Sequence, residues 1–261
     1  MIAIKKYPRT PHIAGSGIQR GDDDLATIPF DALAGRHLIV AEKMDGANCA
    51  VRFTASGDLL LQSRGHYLMG GAREQQFHLF KAWANRYAGD LLNLLEDRYI
   101  MYGEWLYAKH TVFYTHLPHY FLEFDVYDDQ EGFFLSTAMR RALFSTVPFV
   151  HSVNVLYEGM IPSLRALTNL VGRSSFIGAD SVERLEAACT QRGLDPDLAL
   201  RQTDTSGLME GMYIKDEDER GVQSRYKYVR PGFHQAIADA QGHWMNRPII
   251  PNELRAGVSL F

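Results

Sequence analysis

Lys43 is the first residue in this sequence whose setting could do chemistry. It stands in Glu42-Lys43-Met44-Asp45-Gly46, at the mouth of the apolar run His37-Leu38-Ile39-Val40-Ala41 and two residues ahead of an Asp-Gly pair. An amine held there beside a phosphate site could act as a nucleophile. The same pattern equally describes a plain β-hairpin, since Asp-Gly between hydrophobic runs is the common hairpin signal and Cys49-Ala50-Val51-Arg52-Phe53 supplies a second strand. Asp45 has two matching readings: turn formation and packing, or orientation of Lys43.

Other reactive residue types recur at strand-like positions. Leu59-Leu60-Leu61-Gln62-Ser63-Arg64 delivers Ser63 and Arg64 beside Gly65, where backbone can approach a ligand. Glu104 interrupts the apolar run 99–107, and a carboxylate there is costly unless it meets a ligand, a metal or a cation. Glu123 and Asp125 alternate with Leu122, Phe124 and Val126, so period two puts the acids on one face, which a solvated sheet face would also explain. Glu210-Gly211 opens another apolar run, 208–215. In 222–229, Arg225 and Lys227 project from one face, either toward an anion or as the charged guard of an edge strand.

These runs are the strands that must position the reactive groups. Helices are expected over 73–87, where Phe77, Phe80, Ala84 and Tyr87 make one apolar face, and over 137–144 and 181–189. The stretch 136–208 carries few strand signals, and Pro196 either starts or breaks an element near its end. Residues 7–30 hold Pro8, Pro11, Gly15, Gly17, Gly21, Asp22, Asp23, Asp24 and Pro29, which resist a long helix or central strand. They read as an arm packed on the domain surface, from which Arg9, His12 and Arg20 could reach a phosphate. A short helix is expected over 235–244, with Pro248 and Pro251 limiting regular structure beyond it.

Composition sets the outer limits. A chain of 261 residues with 46% hydrophobic content can bury a sizeable core without staples. A formal charge of −4 gives no global basic field, so a nucleic acid would have to meet a local Lys/Arg patch. The sequence shows neither an apolar leader nor a membrane-length apolar run, and the two cysteines, Cys49 and Cys189, lack metal-site spacing. A cytoplasmic protein with reduced thiols is expected. His110, His116 and His119 lack cysteine or carboxylate partners at zinc-ligand spacing and are expected on a wet loop.

Taken in order, these pieces resemble the covalent nucleotidyltransferase superfamily of polynucleotide ligases and RNA capping enzymes. Lys43-Met44-Asp45-Gly46 matches the nucleophile motif, Ser63-Arg64 the next and Gly103-Glu104 the third. Leu122-Glu123-Phe124-Asp125 matches the aromatic motif, Glu210 to Lys215 the fourth, and Arg225-Tyr226-Lys227 the fifth. Asn48, two positions after the glycine, is similar to the RNA ligase 2 branch, whereas DNA ligases and capping enzymes usually have arginine there. The fifth motif departs from its usual Lys-x-Lys by having Arg225 first, a planar fork in place of a point charge.

The resemblance implies an α+β, ligase-type nucleotidyltransferase (ATP-grasp-like adenylation) domain with antiparallel sheets, peripheral helices and no appended OB-fold. That domain would span 1–234, including the arm and the helical segment 136–208, with a short C-terminal extension at 235–261. The 32 residues from 230 to 261 are too few for an OB-fold. The implied activity is ATP-dependent RNA ligation through lysyl-AMP, serving RNA repair. Lys43, Glu210, Lys227 and Arg225 would be catalytic; Glu42, Lys43, Asn48, Arg64, Glu104, Phe124, Lys215 and Lys227 would bind the nucleotide. Glu104 and Glu210 would hold Mg²⁺ or Mn²⁺. Phe124 would stack on adenine, Glu104 would take the ribose hydroxyls, and Arg64 with Asn48 would hold the sugar-phosphate or the RNA end. Burial and the neighbouring cations Lys227 and Arg225 are expected to depress the Lys43 pKa. Partners would be RNA with 5′-phosphate and 3′-hydroxyl ends and an end-healing kinase/phosphatase. The alternatives are a DNA ligase, a GTP-using capping-type enzyme, and a non-catalytic nucleotide-binding module.

Overall fold

A computed structural model describes residues 2–18, 21–233 and 248–261. In chain order it contains β1 (His12–Ile13), β2 (Thr27–Ile28), β3 (Leu38–Lys43), β4 (Ala47–Phe53) and β5 (Leu59–Ser63). A 3₁₀ turn, Ala72–Phe77, leads into α1 (His78–Arg86) and α2 (Ala88–Leu95), followed by β6 (Tyr99–Trp105), β7 (Phe121–Asp128) and β8 (Phe133–Phe134). Then come α3 (Thr137–Leu143), β9 (His151–Ser152), β10 (Val155–Gly159), α4 (Leu164–Thr168), α5 (Ser181–Gln191), α6 (Pro196–Arg201), β11 (Gly211–Asp218) and β12 (Gly221–Val229). Pro196 starts α6, with the Asp195 carboxylate accepting from the Asp197 and Leu198 amides.

Two sheets carry the chain. One runs β10-β3-β11-β12-β1-β2 and the other β5-β4-β6-β7-β8, with β9 beside β7. The long pairings are antiparallel, while β1 and β9 add parallel pairs. Strands β3 and β4 lie in different sheets, so Met44-Asp45-Gly46 is a crossover and the hairpin reading is wrong. Gly46 is there for close approach: a Cβ would stand 2.7 Å from the Trp105 carbonyl oxygen, and its φ is not left-handed. The two faces of an Asp-Gly pair, turn former and close packer, read alike in sequence.

Hydrophobic alternation sorts the faces. Val40, Met212, Ile214 and Tyr228 point from the first sheet into an outer core with Leu33 and Leu167, and Trp83, Phe80, Leu91 and Leu95 cover the second sheet's outer face. Between the sheets lie Ala41, Met44, Ala50, Tyr102, Leu122 and Phe124. Aromatic side chains of that size each bury enough apolar area to favour folding by about 2–3 kcal/mol. The stretch 136–208, read as helical, also supplies β10, which pairs with β3 and forms one edge of the first sheet. Residues 7–30 are more than a surface wrapping: β1 inserts beside β12, and His12 is fully buried. Arg20 and the helix expected over 235–244 lie outside the described residues. Beyond them, Asn252 is buried, donating from Nδ2 to Leu106 O (2.7 Å) and accepting from Tyr114 N (2.9 Å). Among the described residues there is no OB-type barrel, and no helix is long and apolar enough to cross a membrane.

Candidate active site

The period-two pleat brings the cations together. Lys43 on β3, Tyr213 and Lys215 on β11, and Arg225 and Lys227 on β12 alternate with residues of the outer core and therefore face the cleft between the sheets. Gly211 pairs in register with Lys43, and a Cβ at 211 would fall 2.0 Å from the Tyr228 carbonyl oxygen, so only glycine fits. One residue earlier, Glu210 is wholly buried and accepts a hydrogen bond from Lys43 Nζ at 2.6 Å.

This pair reverses one expectation. Burial does push the Lys43 amine down, but Glu210, reinforced by Tyr213 and Glu104, outweighs it and raises the pKa above the ordinary lysine value. Without a nucleotide, Lys43 is an ammonium ion held by a carboxylate. Glu104 is the second acid here, its carboxyl pushed up to about 8 by burial, with Glu210 and Asp45 adding and Lys43 opposing. It accepts from the Gly46 amide at 3.1 Å, which ties it to the crossover. Asp45 turns away from chemistry: it accepts the Thr111 and Val112 amides at 2.6 and 2.8 Å, while its own amide donates to the Tyr114 hydroxyl. The Asp45 carboxylate thus pins the loop 106–120 beside Lys43.

Behind Lys43 a pocket opens, lined by Ile39, Ala41, Glu42, Met44, Glu104, Phe124, Val153, Val155, Tyr213 and Lys215 among others. Phe124 and Tyr213 stack on each other across the cleft, 6° apart with ring centroids at 6.0 Å, and both rings line the pocket. Glu42 is buried, its carboxyl raised to about 7 by burial against the lowering hydrogen bond from Ser174. Lys215 Nζ donates to the Phe124 carbonyl at 2.5 Å and to Asp125 Oδ1 at 3.1 Å, which fixes the backbone that carries Phe124.

The remaining expected site residues divide. Lys227 contacts Asp22 and lies within charge reach of Lys43 and Glu210. Arg225 does not join them: it stands 3.6 Å from Asp125 and 3.9 Å over the Phe134 ring. Neither Glu123 nor Asp125 faces solvent. Glu123 pairs with Arg140 at 2.9 Å, and Asp125 takes Tyr7, Lys215 and Arg225. Asn48 lies opposite Glu104 in register, its Oδ1 buried with no hydrogen-bond partner among the described residues, and Arg64 is exposed at the end of β5. The wet-loop reading holds for His116 but not for His110 or His119, whose pKa values burial pushes down to about 4. His110 is within charge reach of Lys43 and Glu210 and had no sequence signal. Tyr213 had one: it shares Lys215's face two residues away.

No group of three or more metal-ligating side chains converges among the described residues. Glu104 and Glu210 both lie within charge reach of the Lys43 ammonium, and their carboxyl oxygens are hard donors. That fits Mg²⁺ or Mn²⁺, which take one or two carboxylates and complete their shell with phosphate oxygens and water.

A buried Lys-Glu pair at the mouth of an aromatic pocket between two antiparallel sheets defines a nucleotidyltransferase fold of the polynucleotide ligase type. The RNA ligase family profile matches residues 36–229, and the chain belongs to that family. Among solved structures it is similar to an RNA ligase variant of Naegleria gruberi holding ATP and Mn, at 16% identity, TM-score 0.50, over 77% of this chain and 52% of that one. A second variant of that ligase, in its apo form, gives TM-score 0.51 at 16% identity over 77% and 51%. The chain thus spans about half the length of the solved structures it matches. No curated protein sequence matches it.

Proposed function

We propose that this protein is an ATP-dependent RNA ligase working through a lysyl-AMP intermediate on Lys43. The observation that carries the reading is the contact of Lys43 Nζ with the buried Glu210, 2.6 Å apart, at the mouth of the Phe124–Tyr213 pocket. In the first step Nζ attacks the α-phosphorus of ATP; the N–P bond forms, the bond to the β-phosphate oxygen breaks and pyrophosphate leaves. Glu210 is placed to take the lysine proton. Lys227 would donate to a phosphate oxygen, Phe124 would stack on adenine, Glu42 would receive its amino group, and Glu104 the ribose hydroxyls. Mg²⁺ or Mn²⁺ at Glu104 and Glu210 would supply charge neutralisation on the phosphates. In the second step an RNA 5′-phosphate oxygen attacks the lysyl-AMP phosphorus and frees Lys43. In the third, a 3′-hydroxyl attacks the activated 5′-phosphorus and AMP departs.

Asn48 and the exposed Arg64 would hold the RNA end. RNA repair beside an end-healing kinase and phosphatase, in a cytoplasm that keeps Cys49 and Cys189 reduced, completes the reading, and both cysteines are free. The test incubates the protein with Mg²⁺ and ATP or GTP labelled at the α-phosphate, then adds RNA or DNA with 5′-phosphate and 3′-hydroxyl ends. Label from ATP that chases into a joined RNA strand is the expected result. Label from GTP would move the protein to the capping class, joining of DNA alone to the DNA ligases, and no label on folded protein stripped with pyrophosphate to the binding modules.

A further inference from the structure

The N-terminal arm reaches the cleft at two points. Tyr7 donates to Asp125 at 2.8 Å and sets its ring edge-on to Phe124 at 5.0 Å. Farther on, Asp22 contacts the Lys227 ammonium. Asp22 is itself held: His12 Nε2 lies 3.2 Å from its Oδ2, and Arg9 3.5 Å from its Oδ1. His12 is fully buried, in register opposite Lys227, with Nδ1 at 2.7 Å from the Ser16 hydroxyl, which in turn accepts the Val229 amide at 2.9 Å. A chain of contacts therefore runs from the β1–β12 backbone through Ser16, His12 and Asp22 to Lys227.

Lys227 needs such a partner. It is buried, and it feels the positive charge of Lys43 besides. Both effects favour the neutral amine, and Asp22 opposes them. An ammonium has three donors, so one can stay on Asp22 while another meets a phosphate oxygen.

We propose that Asp22, oriented by His12, is a positioning residue for nucleotidyl transfer. It keeps Lys227 charged and aimed at the Lys43–Glu210 pair, so that a nucleotide phosphate meets a cation already in place. The proposal rests on the reading of Lys43 as the nucleophile. Asp22 does not touch substrate; it acts through Lys227.

The test measures single-turnover labelling from α-labelled ATP with Mg²⁺, for wild type, Asp22→Asn, Asp22→Glu, Lys227→Ala and the Asp22→Asn/Lys227→Ala pair, with melting curves for each. Asp22→Asn keeps the shape and removes the charge; it is expected to slow labelling at saturating ATP about tenfold with KM within about threefold, and Asp22→Glu to recover part of the loss. In the Lys227→Ala background Asp22→Asn should cost nothing further, because the group it acts through is gone. Asp24→Asn, which cuts the exposed Arg9–Asp24 pair on the same arm, should stay within about twofold of wild type. Losses that multiply in the double variant, an Asp22→Asn effect no larger than that of Asp24→Asn, or faster labelling by Asp22→Asn would each overturn the proposal. The last would make Asp22 an occupant that phosphate displaces. Should wild type take no label, the Lys43 reading fails by itself. The same cycle is then read on the Kd for ATP, where coupling between Asp22 and Lys227 supports the proposal and additivity overturns it.

Discussion

Two buried lysines lie on adjacent strands of one cleft, each against a wholly buried carboxylate, and they have opposite characters. Lys215 on β11 is closed in: its amine donates to Asp125 and to the Phe124 carbonyl, Asp125 also takes Tyr7 and Arg225, and the side chain is 4% exposed. Lys43 on β3 meets Glu210 and is 14% exposed. Burial and the nearby Arg140 lower the Lys215 pKa, whereas Glu210 raises that of Lys43. On the proposed reading, low pKa alone would choose the wrong nucleophile. What sets Lys43 apart is its greater exposure and its single ion-pair partner among the described residues, Glu210, whereas Lys215 is part of the wall that holds Phe124.

Replacing each lysine sharpens that contrast most strongly. Lys43→Arg keeps a cation against Glu210 but cannot offer a neutral amine, so covalent labelling should fall by at least roughly 1,000-fold with melting little changed. Lys215→Met leaves Asp125 short of a partner in a buried network; it should cost about 3–5 kcal/mol, or roughly 10 °C in melting temperature, while any folded fraction still takes label on Lys43. Equal losses of stability in the two variants would break the comparison. Next comes the aromatic slot: Phe124→Ala removes one stacking face worth about 1–3 kcal/mol per base, so KM for ATP should rise roughly ten- to a hundredfold with a smaller change in kcat. An unchanged KM would put the base elsewhere.

A weaker effect concerns pH. Glu42 titrates near 7 in the folded protein against 4.5 for an ordinary glutamate, so the folded state binds more protons between those values. Its contribution to stability is complete below about pH 4.5 and is lost as pH rises through about 7. Glutamine imitates the protonated acid. Glu42→Gln should match wild type near pH 4.5 and exceed it above pH 7 by up to about 3 kcal/mol in denaturant unfolding. A difference that does not vary with pH would mean the carboxyl is not held in this way.

The strands that carry Lys43, Glu104, Phe124, Lys215 and Lys227 were legible because period-two alternation and apolar runs are local properties. Pairing was less so. The Asp-Gly at 45–46 has hairpin chemistry, yet Trp105 and Leu106 crowd Gly46 from a strand far away in sequence, and the chain crosses between sheets there. Asp22 lies in a run of three acids with no periodicity, and what gives it a role is the parallel pairing of β1 with β12, a contact between residues more than two hundred positions apart. The charge state of Lys43 was illegible for the same reason: it depends on which acid arrives within 2.6 Å.

The proposed chemistry requires Lys43 to be the nucleophile and Lys215 a structural cation. To decide it, the protein is incubated with ATP and Mg²⁺, digested without acid, and the AMP adduct mapped by tandem mass spectrometry. An adduct on the peptide containing Lys43, with Lys215 and Lys227 unmodified, is the expected result. An adduct on either of those lysines, or on none while the folded protein still joins RNA, would contradict the assignment.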